Sequence, residues 1–164
     1  MKGDNAMANQ KIPDVSVENA RIIFKNFRGE EDRFNAKGKR NFCLVLDPES
    51  AEGMKAQGWN IKFLKPLQEG DAPTPYIKVN VSYKVAAPSV YLVAGPGGKK
   101  TLLTEETVGC IDTAEIENVD CVVSPYEWEP GKFSGYLRTM YVTIRPDPFA
   151  AKYANPNSDG DIPW

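Results

Sequence analysis

Between Tyr76 and Val85 the residue types alternate without interruption, and nothing else in the chain limits its fold as strongly. Ile77, Val79, Val81 and Tyr83 share one parity, while Tyr76, Lys78, Asn80, Ser82 and Lys84 share the other. Side chains along a strand point to opposite faces in turn, so the segment predicts a half-buried antiparallel strand with a wet, basic outer face. Other short runs read the same way. Val17 to Phe27, Arg40 to Leu46 and Val90 to Val93 are rich in Ile, Val, Leu and Phe, and Asn60 to Leu64 is a shorter candidate. Glu117 to Trp128 and Gly135 to Arg145 lie on either side of Glu129-Pro130-Gly131 and predict a hairpin. Arg28 to Lys39 reads as a long charged loop. Helix formers are confined to Ser50 to Gln57, stopped by Gly58, and to a short stretch that Thr104 can cap, reaching about Ala114. Many short strands with one or two short helices call for a sandwich or a closed or partly closed barrel. A mainly β, OB-fold-type five-stranded barrel with enlarged loops accommodates the pattern.

A chain of 164 residues, 41% of them apolar, suffices for one domain with a real core. The expected organisation is a disordered leader over 1–14, the barrel over 15–146 and a flexible tail over 147–164, where Pro146, Pro148, Pro156 and Pro163 oppose a helix. The net charge of -2 conceals a strong asymmetry. Residues 21–40 carry seven basic and three acidic groups, 55–100 seven and two, and 101–164 four and eleven. Screening acts over about 8–10 Å at physiological salt, so a local positive surface matters more to a bound polyanion than the total. A solvated acidic face explains the last third equally well.

Catalytic signals are weak. The chain has no His, which removes the commonest general base and the commonest neutral metal ligand. Cys43, Cys110 and Cys121 show no metal-type spacing, and Cys110 and Cys121 sit in apolar patterns that predict core positions. Gly95-Pro96-Gly97-Gly98-Lys99-Lys100-Thr101 fails the phosphate-loop test: Val93 stands where the first Gly belongs, and Lys100 where Ser or Thr belongs. A hairpin loop is expected there instead. Adjacent acids at Glu105-Glu106 and around Glu115 and Glu117 suit a helix start and a solvated edge. The expectation is no catalytic residue, no metal and no cofactor. Without a secretory leader or an apolar run of membrane-spanning length, a reduced cytoplasmic setting with no membrane partner is expected.

Binding signals are stronger because they join charge to π-faces. Unpaired nucleic acid exposes bases that stack on aromatic rings, while Lys and Arg follow the phosphates. Three clusters fit. On the alternating strand, Tyr76 is flanked by Lys78 and Lys84, with Asn80 between. The loop holding Arg33, Phe34, Lys37, Lys39 and Arg40 repeats that combination, with Gly38 as a hinge. Trp59 beside Lys62 and Lys65 is the third. Each also has a purely structural reading: a solubilised sheet face, a charged hairpin loop, or, for Trp59, a packing anchor. In the last strand Met140, Val142 and Ile144 mark the buried face and leave Tyr141 outward, with Arg138 on the inward parity near a rim. Tyr91, Trp128, Phe133 and Tyr136 read either way.

Two resemblances sharpen these expectations. Asp161-Ile162-Pro163-Trp164 closes the chain after Asp159 and Gly160, and resembles the acidic Ile-Pro-Phe tip of bacterial single-stranded DNA-binding proteins. Asn19-Ala20-Arg21-Ile22-Ile23-Phe24-Lys25-Asn26-Phe27, then Phe34-Asn35 ahead of Asn41-Phe42, and Tyr136-Leu137 with Met140-Tyr141-Val142-Thr143-Ile144, resemble a family of phage-encoded single-stranded DNA-binding proteins over roughly 16–146. The resemblance implies an OB-fold protein of phage replication or recombination, coating DNA without strong sequence preference in the host cytoplasm. It also implies a tip, Asp159, Asp161, Ile162, Pro163 and Trp164, that recruits replication or recombination enzymes. Exposed strand edges would permit homo-oligomers. The alternative is a β-rich phage structural or adaptor protein with no nucleic-acid role, and it requires Lys39, Arg40 and Lys78 to be scattered in space.

Overall fold

Asn19, held at φ +50, breaks what the sequence predicts as one strand over Val17 to Phe27. β1 (Val15–Val17) overlaps the predicted range only at Val17, β2 (Arg21–Asn26) lies within it, and the two serve different neighbours. At the break the Asn19 amide donates to Asp120 Oδ1 at 2.9 Å, and the Ala20 amide to the Val119 carbonyl at 2.7 Å. The computed structural model describes residues 12–33, 35–84, 86–94, 98–145 and 149. The expected leader falls mostly, and the tail tip wholly, outside the described residues, as does Phe34.

The remaining strands are β3 (Arg40–Val45), β4 (Lys62–Leu64), β5 (Thr74–Val81), β6 (Ser89–Ala94), β7 (Lys99–Leu103), β8 (Ile116–Glu129) and β9 (Lys132–Ile144). The main hydrogen-bonded path runs β1-β8-β9-β5-β3-β2, with β4 beside β5 and the β6–β7 hairpin beside β9. The sheet does not close edge to edge among the described residues. Its two ends, β1 and β2, are nevertheless consecutive pieces of one bent segment, so the chain itself spans the seam. Five segments result, in the order of a partly open OB-type barrel. The mainly β expectation holds. The strand count exceeds five because the first strand is broken and because β4, β6 and β7 are additions.

Apolar side chains of the inner faces fill the barrel: Phe42, Leu44, Ile77, Val79, Val119, Val123, Met140 and Val142 are buried, and Phe27 stacks on Phe42 with ring centroids 5.3 Å apart. Helix α1 (Pro48–Gln57) begins two residues before the expected Ser50: Asp47 caps it by accepting the Ser50 amide at 3.0 Å, and Pro48 pre-sets the first turn. It ends on Gly58 at φ +107. The predicted Thr104 helix is shorter. Thr104 and Thr107 close a turn on each other, and a 3-10 helix, Val108–Thr113, follows. Its Val108 and Ile111 plug the core. Its Asp112 carboxylate accepts the Phe27 and Arg28 amides at 2.7 and 3.0 Å, tying it to the end of β2. Cys121 is buried as expected, but Cys110, on this short helix, is exposed. Lys99–Leu103 forms β7, the second arm of a hairpin with β6.

Candidate nucleic-acid interface

The outer face of β5 carries the alternation into three dimensions. Val79 and Ile77 are buried, Lys78 is exposed, and Tyr76 and Asn80 are half-buried. Register then extends each outward residue into a row across neighbouring strands. Arg21, Val45, Tyr76 and Lys62 form the first row, over β2, β3, β5 and β4. Ile23, Cys43 and Lys78 form the second. Asn26, Asn41, Asn80, Tyr136 and Ser124 form the third, over β2, β3, β5, β9 and β8. Residues paired in register share a face, so these rows are one surface.

Its chemistry is cationic, aromatic and amide-rich. Burial pushes the Cys43 thiol up, while the positive charges of Lys62, in the first row, and Lys78, in the second, pull it back. Phe24, exposed at 63%, meets Tyr76 edge-on with centroids 6.5 Å apart. At the other border Tyr136 meets Tyr126 edge-on at 5.4 Å, and Lys132 lies 5.7 Å over the exposed Trp128 ring. Asn80 fixes its amide by donating to the Gly135 carbonyl at 3.3 Å.

A network of Asn side chains seats the charged loop against this face. Asn35 Nδ2 donates to the carbonyls of Glu30, Ala36 and Lys39, and its Oδ1 accepts from Asn41 Nδ2 at 2.9 Å. Asn26 clasps Glu30 through both its amide groups. Arg33, Lys37 and Lys39 are therefore exposed on a loop moored to the third row. Gly29 sits at φ +71, where an added Cβ would press on the Gly38 backbone at 3.1 Å, so the two arms of the loop run in close contact.

The structure brings Tyr76, Lys78, Asn80 and Lys62 onto one face and moors the loop that carries Lys37 and Lys39 to Asn41, in the third row. Lys84 is exposed on the rim beyond the end of β5. Three predicted residues lie elsewhere. Trp59, 3% exposed, is a core residue rather than a stacking platform: it follows the Gly58 cap, bridges to Phe133 and lies under Gly135, where an added Cβ would be 3.6 Å from its ring. Arg40 is directed to Glu105 at 3.0 Å and lies 5.9 Å over the Tyr83 ring, because its parity matches Val81 rather than Asn80. Tyr141 stacks on Tyr91 at 4.9 Å beneath Lys100, farther along β9.

Phe24 and Tyr136 gave no usable sequence signal, since β-bulges reverse their parity. Phe24 and Lys25 both oppose Phe42, with Phe24 at φ +53. Arg138 is the extra residue of β9 opposite Val122 and Val123, so Tyr136 and Arg138 face outward although counting back from Met140 places them inward. The inward reading of Arg138 is thereby corrected: its side chain is exposed and reaches Asp14 at 3.2 Å.

Residues 6–163 match the sequence profile of the phage ssDNA-binding domain family. The chain belongs to that family. Among solved structures, this family member is similar to the single-stranded DNA-binding protein from bacteriophage Enc34, with 11% identity, 90% of each chain covered and a TM-score of 0.48. It is also similar to the same Enc34 protein in complex with ssDNA, with 13% identity, 83% of this chain and 89% of that chain covered, and a TM-score of 0.46. No curated protein matches the chain at a significant level.

Proposed function

We propose that this phage ssDNA-binding domain protein holds single-stranded DNA across the outer face of β2, β3, β5 and β9, without strong sequence preference. The observation that carries the reading is the convergence of Tyr76, Lys62, Lys78 and Asn80 on one surface. Lys62 and Lys78 neutralise phosphates, and Lys37 and Lys39 add charge from the loop. The rings of Tyr76, Phe24 and Tyr136 supply π-faces to unstacked bases. Every base has such a face, so the mode is tolerant of sequence. A duplex hides those faces, which favours single strands.

The same proposal places the protein in phage replication or recombination, acting in the host cytoplasm. The tip residues Asp159, Asp161, Ile162, Pro163 and Trp164 recruit an enzyme whose pocket is apolar at its floor and basic at its rim, as the resemblance of the tip suggests. Trimming residues 155–164 then abolishes recruitment and leaves DNA binding intact or tighter.

The test of the core reading is a fluorescence anisotropy titration with labelled single- and double-stranded DNA of the same sequence. The single strand is expected to bind more tightly. Its log affinity is expected to fall with log salt at a slope of about -3, from roughly -0.7 for each of about four phosphates. Equal affinity for the duplex, or a slope near zero, contradicts the proposal.

A further inference from the structure

β9 changes partners along one edge. It pairs with β5 at Gly135 and Tyr136 and with β6 from Thr139 to Thr143, and the bulge at Arg138 falls between the two. Between β5 and β6, Ser82, Ala86 and Ala87 border that gap. The result is a half-open cleft of about 730 Å3, lined among others by Ser82, Ala87, Ser89, Tyr126, Tyr136 and Arg138. It begins at Tyr136, the β9 member of the Asn26-Asn41-Asn80 row, and so opens directly off the face described above.

We propose that this cleft takes one nucleobase of the bound strand out of the line of stacked bases, an inference that rests on the single-strand-binding reading. Its volume falls within the range of about 300–1,000 Å3 typical of small-molecule sites and admits a base with its sugar. The Tyr126 and Tyr136 rings, edge to face, form an aromatic wall for the base plane. Ser82, Ser89, Ser124 and Thr139 line it as well, and each hydroxyl both donates and accepts, so the edge of any base finds a partner. The Arg138 guanidinium, steered by Asp14, sits at the cleft wall, where the strand enters and leaves. The small side chains of Ala86, Ala87 and Ser89 leave the space for the base unfilled. Continuity with the Lys78 and Asn80 surface singles out the strand itself, rather than a protein partner, as the occupant.

The chain in its full length tests this with an abasic scan. A short oligonucleotide, just long enough for one protein, is given a single abasic site at each position in turn, and affinities are read by anisotropy. Positions whose bases stack on the open face are expected to respond, and the base in the cleft with them, each loss costing about tenfold or more. The variant Ala87→Trp, on an exposed link outside the core, is expected to bind the intact oligonucleotide about tenfold more weakly and to lose the response at one of those positions while the others keep theirs. A flat abasic profile with the wild-type chain overturns the inference and the base stacking of the proposed function together. An Ala87→Trp chain that melts like wild type and keeps the full abasic response overturns the inference alone and leaves the single-strand reading standing. A wild-type chain that retains no single strand at all sinks both.

Discussion

Tyr76 presents a ring that is half-exposed on the sheet face yet braced by Phe24, so its removal should act on binding and not on folding. Tyr76→Ala is expected to lose about 1–3 kcal/mol of single-strand affinity in anisotropy titrations, with little change in thermal melting. Trp59→Ala should do the reverse. Its indole is buried against Phe133 and Gly135, and truncation is expected to reduce the free energy of urea unfolding by about 3–5 kcal/mol. The alternation from Tyr76 to Lys84 made the first of these residues legible, because parity along an unbroken strand translates directly into face. Nothing comparable distinguished Trp59, since an aromatic after a helix-ending Gly suits a core anchor and a stacking platform alike. Thiol chemistry separates the cysteines. Burial, with the neighbouring Asp120 carboxylate, pushes the Cys121 thiol up to about 12 from an ordinary 9.0. The folded chain therefore holds that proton longer than the unfolded chain. The stability this gives is complete below pH 9.0 and is lost as pH climbs towards about 12. At about pH 8 a thiol reagent is expected to modify the exposed Cys110 in the native state and Cys121 only after denaturation.

At the scale of elements, the β8–β9 hairpin is stitched to the end of α1. The Phe133 amide donates to the Gly58 carbonyl at 2.9 Å, and the Asn60 amide to the Phe133 carbonyl at 3.1 Å. Gly58 lies at φ +107, and a Cβ there would run into the Gly131 carbonyl oxygen. Gly58→Ala is therefore expected to destabilise the fold by at least about 1–3 kcal/mol in chemical denaturation, through backbone strain alone. The weakest part of the sequence reading belongs to this scale. Strand positions, the α1 cap and the closing hairpin could be read from residue types and turn residues. The bulges at Phe24 and Arg138 could not, because one extra residue leaves the composition unchanged and reverses every side chain beyond it. That single effect hid Phe24 and Tyr136, two of the three rings assigned to stacking. The break at Asn19 was invisible for a related reason: it is fixed by Asp120 and Val119, a hundred residues away.

At the scale of the molecule, the asymmetry of charge along the chain reappears in space only in part. Lys62 and Lys78 lie on one face and Lys37 and Lys39 on a loop moored to it, while Arg40 is directed to Glu105 and Arg138 to Asp14. Counting charge over residues 21–40 thus overstated the free positive surface. The double variant Lys62→Ala with Lys78→Ala is expected to flatten the salt dependence by about 1.4, from roughly 0.7 for each lost phosphate contact. The central claim is that a single strand lies over the outward rows of β2, β3, β5 and β9. Backbone amide shifts in a 1H–15N spectrum, followed while an unstructured oligonucleotide is added, test it most directly. The account predicts that the amides of Asn41, Cys43, Lys78, Asn80 and Tyr136 move together, while those of β7 and the exposed face of α1 stay still. Shifts gathered on β7 or α1, with the β5 rows unmoved, would contradict it.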